Sequence, residues 1–495
     1  MAAAVLWLSA CGSTDEEFGT VGYVEGFFGA AVADEPHAAQ TGRDVLSAGG
    51  SAADAVVAMY FASAVTLPSA ASLGGGGVCV GFDSAGGEVQ ALEFFARRPA
   101  GILPEGERPV AVPGNVRGFF AFHARYGRLR WSQLISPAEN LARFGFRVPR
   151  ALSRDIDQVE RALAAEEETL RTFAKPDGGG LVDEGDLLRQ VELAAVLARI
   201  RAEGAGAFYT GPLARQFAEA ADAAGGSITS NDLRDYAPTW RQTITVPMGN
   251  ETAHFPPSPA VGGALAAKMW TLLLERGGLR RASPEERLRM FADLGFDTAS
   301  DRLELLAASD GGATSSPLEN PSAATFVAVD REGSAAACAV TLNSLFGTGR
   351  VAAGTGIVLA AAPGPGGRGA TALGPMLIVN QNVNEFYFAG AAAGGMAAPT
   401  ALVSVAARAV LGDEPLLQAL AARRVLGGPM PDVVHHEGSA SGIETTFAGE
   451  GLRFVAAPAL GQVNAINCSK GIPPHPESCT AGSDPRGYGL AMTSD

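Results

Sequence analysis

The residues of this chain best suited to chemistry lie within 321–356. Thr341 and Asn343 stand at the end of two apolar runs, 323–329 and 335–342, which flank a short charged turn that contains glycine. Small and β-branched residues on both sides of such a turn predict a β-hairpin. A glycine-rich segment follows, where the backbone can approach a ligand closely. A hydroxyl group and a carboxamide in this setting could orient a nucleophile or bind a substrate.

This hairpin and its glycine-rich tail resemble the central segment of the gamma-glutamyltransferase (glutathione hydrolase) family, whose motif ends T-x-N-x-x-F-G-x-G. The residues that match the motif are Phe326, Asp330, Gly333, Thr341, Asn343, Phe346 and Gly347. Members of the family are N-terminal-nucleophile hydrolases, in which a precursor cuts itself just before a threonine that becomes the nucleophile. The resemblance implies an α/β protein with the four-layer αββα fold of that class.

The position of the family's nucleophile holds Ala323 in this chain. Alanine has no hydroxyl group, so neither self-cleavage nor an acyl-enzyme can begin there. Thr325 shares the strand face of Ala323 but lies about 7 Å farther along, and the neighbouring Ser322 points to the opposite face. The resemblance therefore predicts a catalytically inactive member. The alternative is an active gamma-glutamyl or amide hydrolase, similar to glutathione hydrolase, that uses Thr325 or Ser322 after self-cleavage.

Positions that the resemblance assigns to substrate binding also differ from the family pattern. Phe95 stands where the family has an arginine for the substrate's α-carboxylate, with Arg97 two residues later on the same strand face. Pro365 replaces the acidic residue that binds the α-amino group. The full set of positions expected to form a vestigial substrate site is Phe95, Thr341, Asn343, Pro365, Thr371, Ala372, Gly394 and Gly395.

Three regions are expected along the chain. Residues 1–29 form a signal or lipobox segment with a lead-in, 30–320 resemble the family's large subunit, and 321–495 resemble its small subunit, all in one compact, uncleaved fold. Fewer than thirty residues separate Asp293 from Ala323, so the segment before the nucleophile position is short. A chain that is never cut needs no long processing segment.

The first residues read MAAAVLWLSAC, an apolar run that is too short to span a membrane. Leu8 to Cys11 is similar to a bacterial lipobox, in which the cysteine carries lipid, and this indicates a periplasmic or membrane-anchored lipoprotein. Membrane contact is expected only through a lipid at Cys11. An ordinary secretion signal and a chance apolar terminus remain the alternatives.

The other cysteines fall into two groups. Cys79 and Cys338 lie in apolar strand patterns, and we interpret them as inert core residues. Cys468 and Cys479 flank a proline-rich loop and are plausible disulfide partners in an exported protein. A metal site that includes His475 is less favoured, because the spacing lacks a CxxC motif. We expect neither a metal nor a cofactor.

The net charge of −15 and the pI near 5.0 argue against a nucleic-acid partner. A chain that keeps a family's scaffold while losing its nucleophile and substrate clamp is expected to bind or scaffold something else. The expected partner is a small amphipathic ligand in the vestigial cleft or another protein of the bacterial envelope.

Overall fold

The computed structural model describes residues 26–101, 109–308, 322–363, 372–428, 432–439 and 442–494. The strands are β1 Gly29–Ala33, β2 Gly76–Asp83, β3 Glu88–Phe94, β4 Phe146–Arg147, β5 Leu187–Leu188, β6 Thr239–Gln242, β7 Ile244–Met248, β8 Glu251–Phe255, β9 Ala323–Asp330, β10 Ala335–Thr341, β11 Val351–Ala352, β12 Ile357–Val358, β13 Met376–Asn380, β14 Glu385–Ala393, β15 Val425–Gly427, β16 Val433–His436, β17 Arg453–Ala456, β18 Gln462–Ile472, β19 Cys479–Gly482 and β20 Leu490–Ser494.

The helices are α1 Pro36–Ser47, α2 Ala52–Thr66, α3 Pro68–Ala71, α4 Asn115–Tyr126, α5 Trp131–Phe144, α6 Arg150–Ala164, α7 Glu167–Phe173, α8 Val191–Glu203, α9 Gly206–Tyr209, α10 Gly211–Ala223, α11 Ser230–Asp235, α12 Val261–Arg276, α13 Pro284–Asp297, α14 Ala299–Ala308, α15 Ala398–Ala406, α16 Leu416–Ala421 and α17 Ile443–Thr446. Within the described residues, no helix is both long and apolar enough to cross a membrane.

Two antiparallel sheets form the centre of the molecule. The first sheet has the strand order β20-β1-β9-β10-β2-β3-β6, and the second has the order β19-β18-β14-β13-β8-β7. The predicted hairpin is confirmed as β9 and β10, in which Ala323 pairs with Thr341. The carboxylate of Asp330 closes the turn by accepting hydrogen bonds from the backbone N–H groups of Glu332 and Ser334.

The layers follow from the alternation of side chains along each strand. On β9, Val327 and Val329 pack against the second sheet, whereas Phe326 and Ala328 pack under the helices of the first sheet. Helix α12 supplies Trp270 to a separate core on the outer face of the second sheet. Helices thus cover both outer faces, and the four-layer αββα architecture is confirmed.

Helix α2 is the innermost helix of the first layer. Its residues are buried along its whole length, which suits a sequence that is apolar all round. Ser51 caps the helix, because its hydroxyl oxygen accepts from the backbone N–H of Asp54 while the Asp54 carboxylate accepts from Ser51. This helix anchors the sheet that carries β9.

The regions 30–320 and 321–495 share both sheets. Strands β9 and β10 of the later region lie between β1 and β2 of the earlier one. In the second sheet, β7 and β8 pair onto β13 of the later region. Each region therefore completes the sheets of the other.

The structure contains two disulfides in its described residues. Cys79 and Cys338 are bonded, with their Cα atoms 4.1 Å apart. The interpretation of these two cysteines as inert core residues was wrong, because the antiparallel register places them directly opposite each other on β2 and β10. Their separation of 259 residues left no local pattern to reveal the pair. Cys468 and Cys479 are also bonded, between β18 and β19.

Candidate functional site

Position 323 begins strand β9, and the groups around it hold the backbone firmly. The Thr341 hydroxyl donates to the carbonyl oxygen of Ser322 over 2.5 Å and accepts from the backbone N–H of Asn343 over 2.9 Å. Asn343, at a φ of 67°, donates its side-chain amide to the Ala361 carbonyl. Thr341 thus contacts the carbonyl group that a nucleophile at 323 would attack. The side chain at 323 is only a methyl group.

A small apolar cluster lies beside this methyl group. Its members are Val78, Ala260, Ala339 and Leu373, with Phe95 and Ala323 packed against them. Phe95 therefore contacts the same cluster as Ala323. Arg97 is exposed; it donates to the Ala237 carbonyl and its guanidinium lies 4.8 Å from the centre of the Tyr236 ring. Arg97 thus contacts residues at the surface and does not join the cluster around Ala323.

Glycines permit the close packing of these segments. A Cβ atom on Gly76 would lie 2.0 Å from the backbone nitrogen of Ala96, and one on Gly75 would lie 2.5 Å from the Thr341 carbonyl oxygen. Only glycine fits at these two positions. The start of β2 therefore packs closely against the backbone around Phe95 and against the end of the hairpin.

The glycine pair at the end of β14 also has a structural requirement. Gly394 has a φ of 122°, and a Cβ atom there would lie 2.5 Å from the Cα atom of Gly461. Gly395 has a φ of 58° and begins a short 3₁₀ turn. Backbone geometry alone requires glycine at 394. The N–H groups of such a turn are the kind that stabilise a developing negative charge in acyl transfer.

A cavity of about 400 Å³ opens beside Ala323. Ser322, Ala323 and Gly394 line it on one side. Its wall also includes Leu67, Leu345 and other apolar residues, whereas its polar lining is Asp34, Arg154, Asp155, Gln158, Gln462, Arg486 and Tyr488. The cavity thus runs from Ala323 towards two carboxylates, and Phe95 does not line it.

Asp34 follows β1, and its carboxylate binds Thr325 of strand β9. Its carboxylate accepts from the backbone N–H of Thr325 at 2.7 Å, from the Thr325 hydroxyl at 2.9 Å and from the Asn464 amide at 2.9 Å. Asn464 also donates to the Thr325 hydroxyl. Burial raises the pKa of Asp34 from 3.8 to about 6 despite these hydrogen bonds. Thr325 is 1% exposed, and its hydroxyl group donates its hydrogen bond to the Asp34 carboxylate.

Asp155 lies on α6 at the same cavity. One carboxylate oxygen accepts from the Ser69 hydroxyl over 2.5 Å. The pKa of this carboxyl is raised to about 6, mainly by burial and to a smaller extent by the negative charge of Asp34, while the Ser69 hydrogen bond and the charge of Arg154 oppose the rise.

The chain's closing motif, Asp484 to Gly487, forms an ionic network behind the cavity. Arg486 donates to both carboxylate oxygens of Glu437 and to Asp484. The buried Arg424 donates to the other oxygen of Asp484. Arg486 therefore lines the cavity with its charge already neutralised.

The other predicted site residues are less central. Ala372 lies against the start of α12, where a Cβ atom on Gly262 would be 2.2 Å from its carbonyl oxygen. Pro365, Thr371 and the proposed lipidation site Cys11 lie outside the described residues. In the described part of the chain, no cluster of three or more side chains could hold a metal ion.

Asp34 and Asp155 were not predicted as site residues from the sequence. Asp34 follows a short strand and precedes a helix cap, which is an ordinary place for a carboxylate. Asp155 lies in a helix rich in charged residues, a pattern typical of a solvated face. Asp34 directly follows the buried strand β1, which was the available signal. Its approach to Thr325 depends on the antiparallel register of β1 against β9, in which Ala33 pairs with Phe326, and the sequence alone does not show this register.

Comparison with known proteins places the chain among related sequences. The family model described as Gamma-glutamyltranspeptidase matches residues 38–294 and 295–494. The chain is 28% identical over 372 residues to the glutathione hydrolase proenzyme of Escherichia coli K12. The aligned region covers 65% of this chain and 64% of the relative. It is 34% identical over 260 residues to the glutathione hydrolase proenzyme of Bacillus subtilis 168, covering 48% and 43%. The chain thus matches between 43% and 64% of these relatives' lengths.

Among solved structures, the chain is similar to a cephalosporin acylase from Bacillus halodurans. The TM-score is 0.75 at 20% identity, and the match covers 98% of this chain and 99% of the other. A likeness at this identity shows the fold. Together with the family match, it establishes the N-terminal-nucleophile hydrolase fold for this chain.

Proposed function

The chain belongs to the gamma-glutamyltranspeptidase family, and we propose that it is an uncleaved, catalytically inactive member that binds a small molecule in the cavity beside Ala323. The observation that carries this proposal is the methyl group of Ala323 at the head of β9, where the nucleophilic hydroxyl would have to stand. Acyl transfer in this fold needs a hydroxyl group that can be deprotonated at that point.

The surroundings of Ala323 support inactivity. Thr341 contacts the Ser322 carbonyl, but a polarised carbonyl does not react without a nucleophile. The Thr325 hydroxyl is buried and donates to Asp34, so it is not free to attack. The resemblance assigns the carboxylate clamp to the position of Phe95, which packs in an apolar cluster with Ala323, and a substrate without a clamp loses most of the benefit of orientation.

A second candidate function is hydrolysis of a gamma-glutamyl or other amide bond with Ser322 as the nucleophile. One observation favours it: Ser322 lines the same cavity as Gly394, whose turn could stabilise an oxyanion. This reaction would require a cut immediately before Ser322. Thr325, the other alternative, does not line the cavity.

The binding role is supported by the cavity itself. Its volume of about 400 Å³ lies in the range of small-molecule sites, and its wall combines apolar surface with a few polar groups. A scaffold role with a protein of the bacterial envelope remains part of the same proposal, since loss of catalysis would leave the outer surface of the fold intact.

We place this protein outside the cytoplasm, as a periplasmic or membrane-anchored lipoprotein with lipid at Cys11. The two disulfides support export, because such bonds persist in oxidising compartments and are rare in the cytosol. The lipobox-like sequence before Cys11 supports lipid attachment.

The test is an activity assay on the purified full chain with gamma-glutamyl-p-nitroanilide, run beside Ser322→Ala and Thr325→Ala variants. We expect no release of p-nitroaniline above the rate without protein. Turnover by the wild type that either variant abolishes would overturn the proposal and assign the nucleophile.

A further inference from the structure

Three large apolar side chains are exposed on neighbouring segments of the first layer, where α5 ends and α8 begins. Phe144 is 67% exposed, Val191 is 64% exposed and Leu187 is 36% exposed. The pairing of β4 with β5 holds these segments together, and so does the hydrogen bond from the Gln190 N–H to the Ala142 carbonyl. The three side chains form an apolar patch that is open to solvent.

Two arginines border this apolar patch without an acidic partner among the described residues. Arg147, on β4, donates to the Gly185 carbonyl, and Arg189, which follows β5, donates to the Phe144 carbonyl. Both arginines are exposed. They are therefore fixed beside the patch by backbone oxygens, while their charge still faces water.

The carboxylates of the same segments are paired with other cations. Glu139 accepts from two arginines, Arg143 and Arg201. The remaining ion pairs are Glu184 with Arg150, Glu192 with Arg171, and both Asp183 and Asp186 with Lys175. The border of the patch thus keeps the positive charge of Arg147 and Arg189, in a chain whose net charge is −15.

Helix α1 relates the patch to the start of β1. At one end of this helix, the His37 ring lies 5.9 Å from the ring of Phe146 in β4. At the other end, the hydroxyl of Ser47 is hydrogen-bonded to that of Ser494, which pairs with Gly29 of β1. The start of β1 is therefore about one length of α1 from β4, which is about 18 Å for 12 residues.

This distance is within reach of an anchor at Cys11. Gly26, the first described residue, lies fifteen positions after Cys11. A chain of that length spans up to about 50 Å when it is extended. A membrane that holds a lipid at Cys11 can therefore also touch the apolar patch.

We propose that this patch docks on the surface of an anionic phospholipid bilayer. Its apolar side chains would lie at the level of the headgroups, and Arg147 and Arg189 would bind phosphate. Apolar groups bordered by arginines suit that boundary, because the rings and alkyl chains leave water while guanidinium groups pair with phosphate oxygens. The inference goes beyond the proposed binding function and uses the proposed location outside the cytoplasm. The contact is weak and reversible by itself, so it orients a tethered protein and adds to the membrane contact expected at Cys11.

A second copy of the chain fits the patch less well. The three side chains expose on the order of 300 Å² of apolar surface, whereas a stable interface buries about 800 Å² on each partner. A two-fold contact uses the same surface of both copies. It would therefore bring Arg147 and Arg189 of one copy close to the same positive charges of the other.

The experiment is co-sedimentation of the full, oxidised chain with vesicles, with the partition coefficient as the readout. Every protein carries Cys11→Ser, so that no attached lipid contributes. The anionic vesicles contain phosphatidylglycerol and phosphatidylethanolamine in equal amounts, and phosphatidylcholine vesicles are the neutral probe. We expect partition into the anionic vesicles to be about tenfold stronger. Equal partition into both, or none into either, would refute the inference.

The double variant Phe144→Ser with Val191→Ser tests the apolar side chains. Both are mainly in water, so the free energy of unfolding in urea should stay that of the parent. We expect about a tenfold loss of partition into anionic vesicles. The matched control is Val383→Ser with Leu417→Ser, which are 56% and 58% exposed outside the patch. A loss no larger than that of the control would overturn the proposal.

The double variant Arg147→Gln with Arg189→Gln tests the charged border. Its partition into anionic vesicles should fall to the level of the neutral vesicles, while its partition into phosphatidylcholine should not change. Arg98→Gln is the control, because Arg98 is exposed and forms no ion pair in the described part of the chain. A preference for anionic vesicles that survives the double variant would contradict the proposal.

Light scattering without vesicles separates a bilayer from a second copy as the partner. The mass should be the same for the parent and for Phe144→Ser with Val191→Ser. A parent dimer that this variant dissociates would refute the bilayer as the partner. Failure in the vesicle test would refute this inference alone, because the assay involves neither catalysis nor lipid at Cys11, whereas gamma-glutamyl turnover would refute the proposed function.

Discussion

Replacement of Asp34 by asparagine should make the protein more stable at neutral pH. The wild-type carboxylate is enclosed by protein on one side and faces the cavity on the other, without a cation in ion-pair contact. Asp34→Asn removes this charge and keeps nearly the same shape. The one oxygen of the asparagine can still accept from Thr325. The new NH₂ group takes the place of the oxygen that accepts from the Asn464 amide, so the hydrogen bond from Asn464 is lost. Binding sites often sacrifice stability in this way.

The magnitude follows from the pKa of Asp34, which is raised from 3.8 to about 6. Because the folded state binds this proton more tightly than the unfolded chain does, the proton's contribution to stability is full below pH 3.8 and is lost as pH rises through 6. Between pH 4.5 and 7.5 the wild type should lose about 2 kcal/mol from this group, at 1.36 kcal/mol per pKa unit. The lost hydrogen bond costs about 1 kcal/mol. Relative to the neutral group that asparagine resembles, the ionised Asp34 costs about 3 kcal/mol at pH 7.5, so the net gain of Asp34→Asn there is about 2 kcal/mol.

The assay is urea unfolding of the oxidised full chain at pH 7.5 and 4.5, with the free energy of unfolding taken by linear extrapolation. Asp34→Asn should be more stable than the wild type by about 2 kcal/mol at pH 7.5 and about as stable as the wild type at pH 4.5. Asp235→Asn, an exposed carboxylate, serves as the control and should follow the wild type at both pH values. Parallel pH dependence in Asp34→Asn and the wild type would refute the reasoning about the buried charge.

Three further predictions concern the nucleophile position, one disulfide and the anchor. Ala323→Thr restores a hydroxyl beside the Ser322 carbonyl, so slow self-cleavage should be detected by mass spectrometry, without gamma-glutamyl turnover. The control Ala323→Val, which has nearly the same shape, should remain uncut. An uncut threonine variant would contradict the assignment of position 323 as the nucleophile position. Replacement of Cys79 and Cys338 by alanine opens a loop of 259 residues and should lower the free energy of unfolding in urea by about 4 to 5 kcal/mol. The other disulfide closes a loop of only 11 residues. If removing the Cys79–Cys338 bond lowered stability no more than removing the shorter one, the prediction would be wrong. Cys11→Ser should move the protein from the membrane fraction to the soluble fraction, and an unchanged distribution would exclude a lipid anchor there.

Local patterns predicted the hairpin that carries Ala323, because alternation and a glycine turn act within a few residues of each other. The resemblance supplied the layered fold, which depends on pairings between strands far apart in the chain. The Cys79–Cys338 bond shows the difference, since each cysteine looks like an ordinary core residue until the register of β2 and β10 is known.

Some of the residues that line the cavity were named from the sequence, and its two carboxylates were not. Ala323 and Gly394 were found from their motifs, and both line the cavity. Asp34 and Asp155 were not found, because the charge of a carboxylate is visible in a sequence while its burial is not. Their raised pKa values arise from packing between β1, α6 and β9, which only the folded chain reveals.

The central claim is that this chain remains whole because position 323 lacks a nucleophile. Its most direct test is the intact mass and N-terminal sequence of the protein purified from its own cells. The account predicts one uncut polypeptide that spans residues 322 and 323, with Cys11 lipid-modified at its start. Two fragments, the smaller beginning at Ser322 or Thr325, would contradict the account and identify an active N-terminal-nucleophile hydrolase.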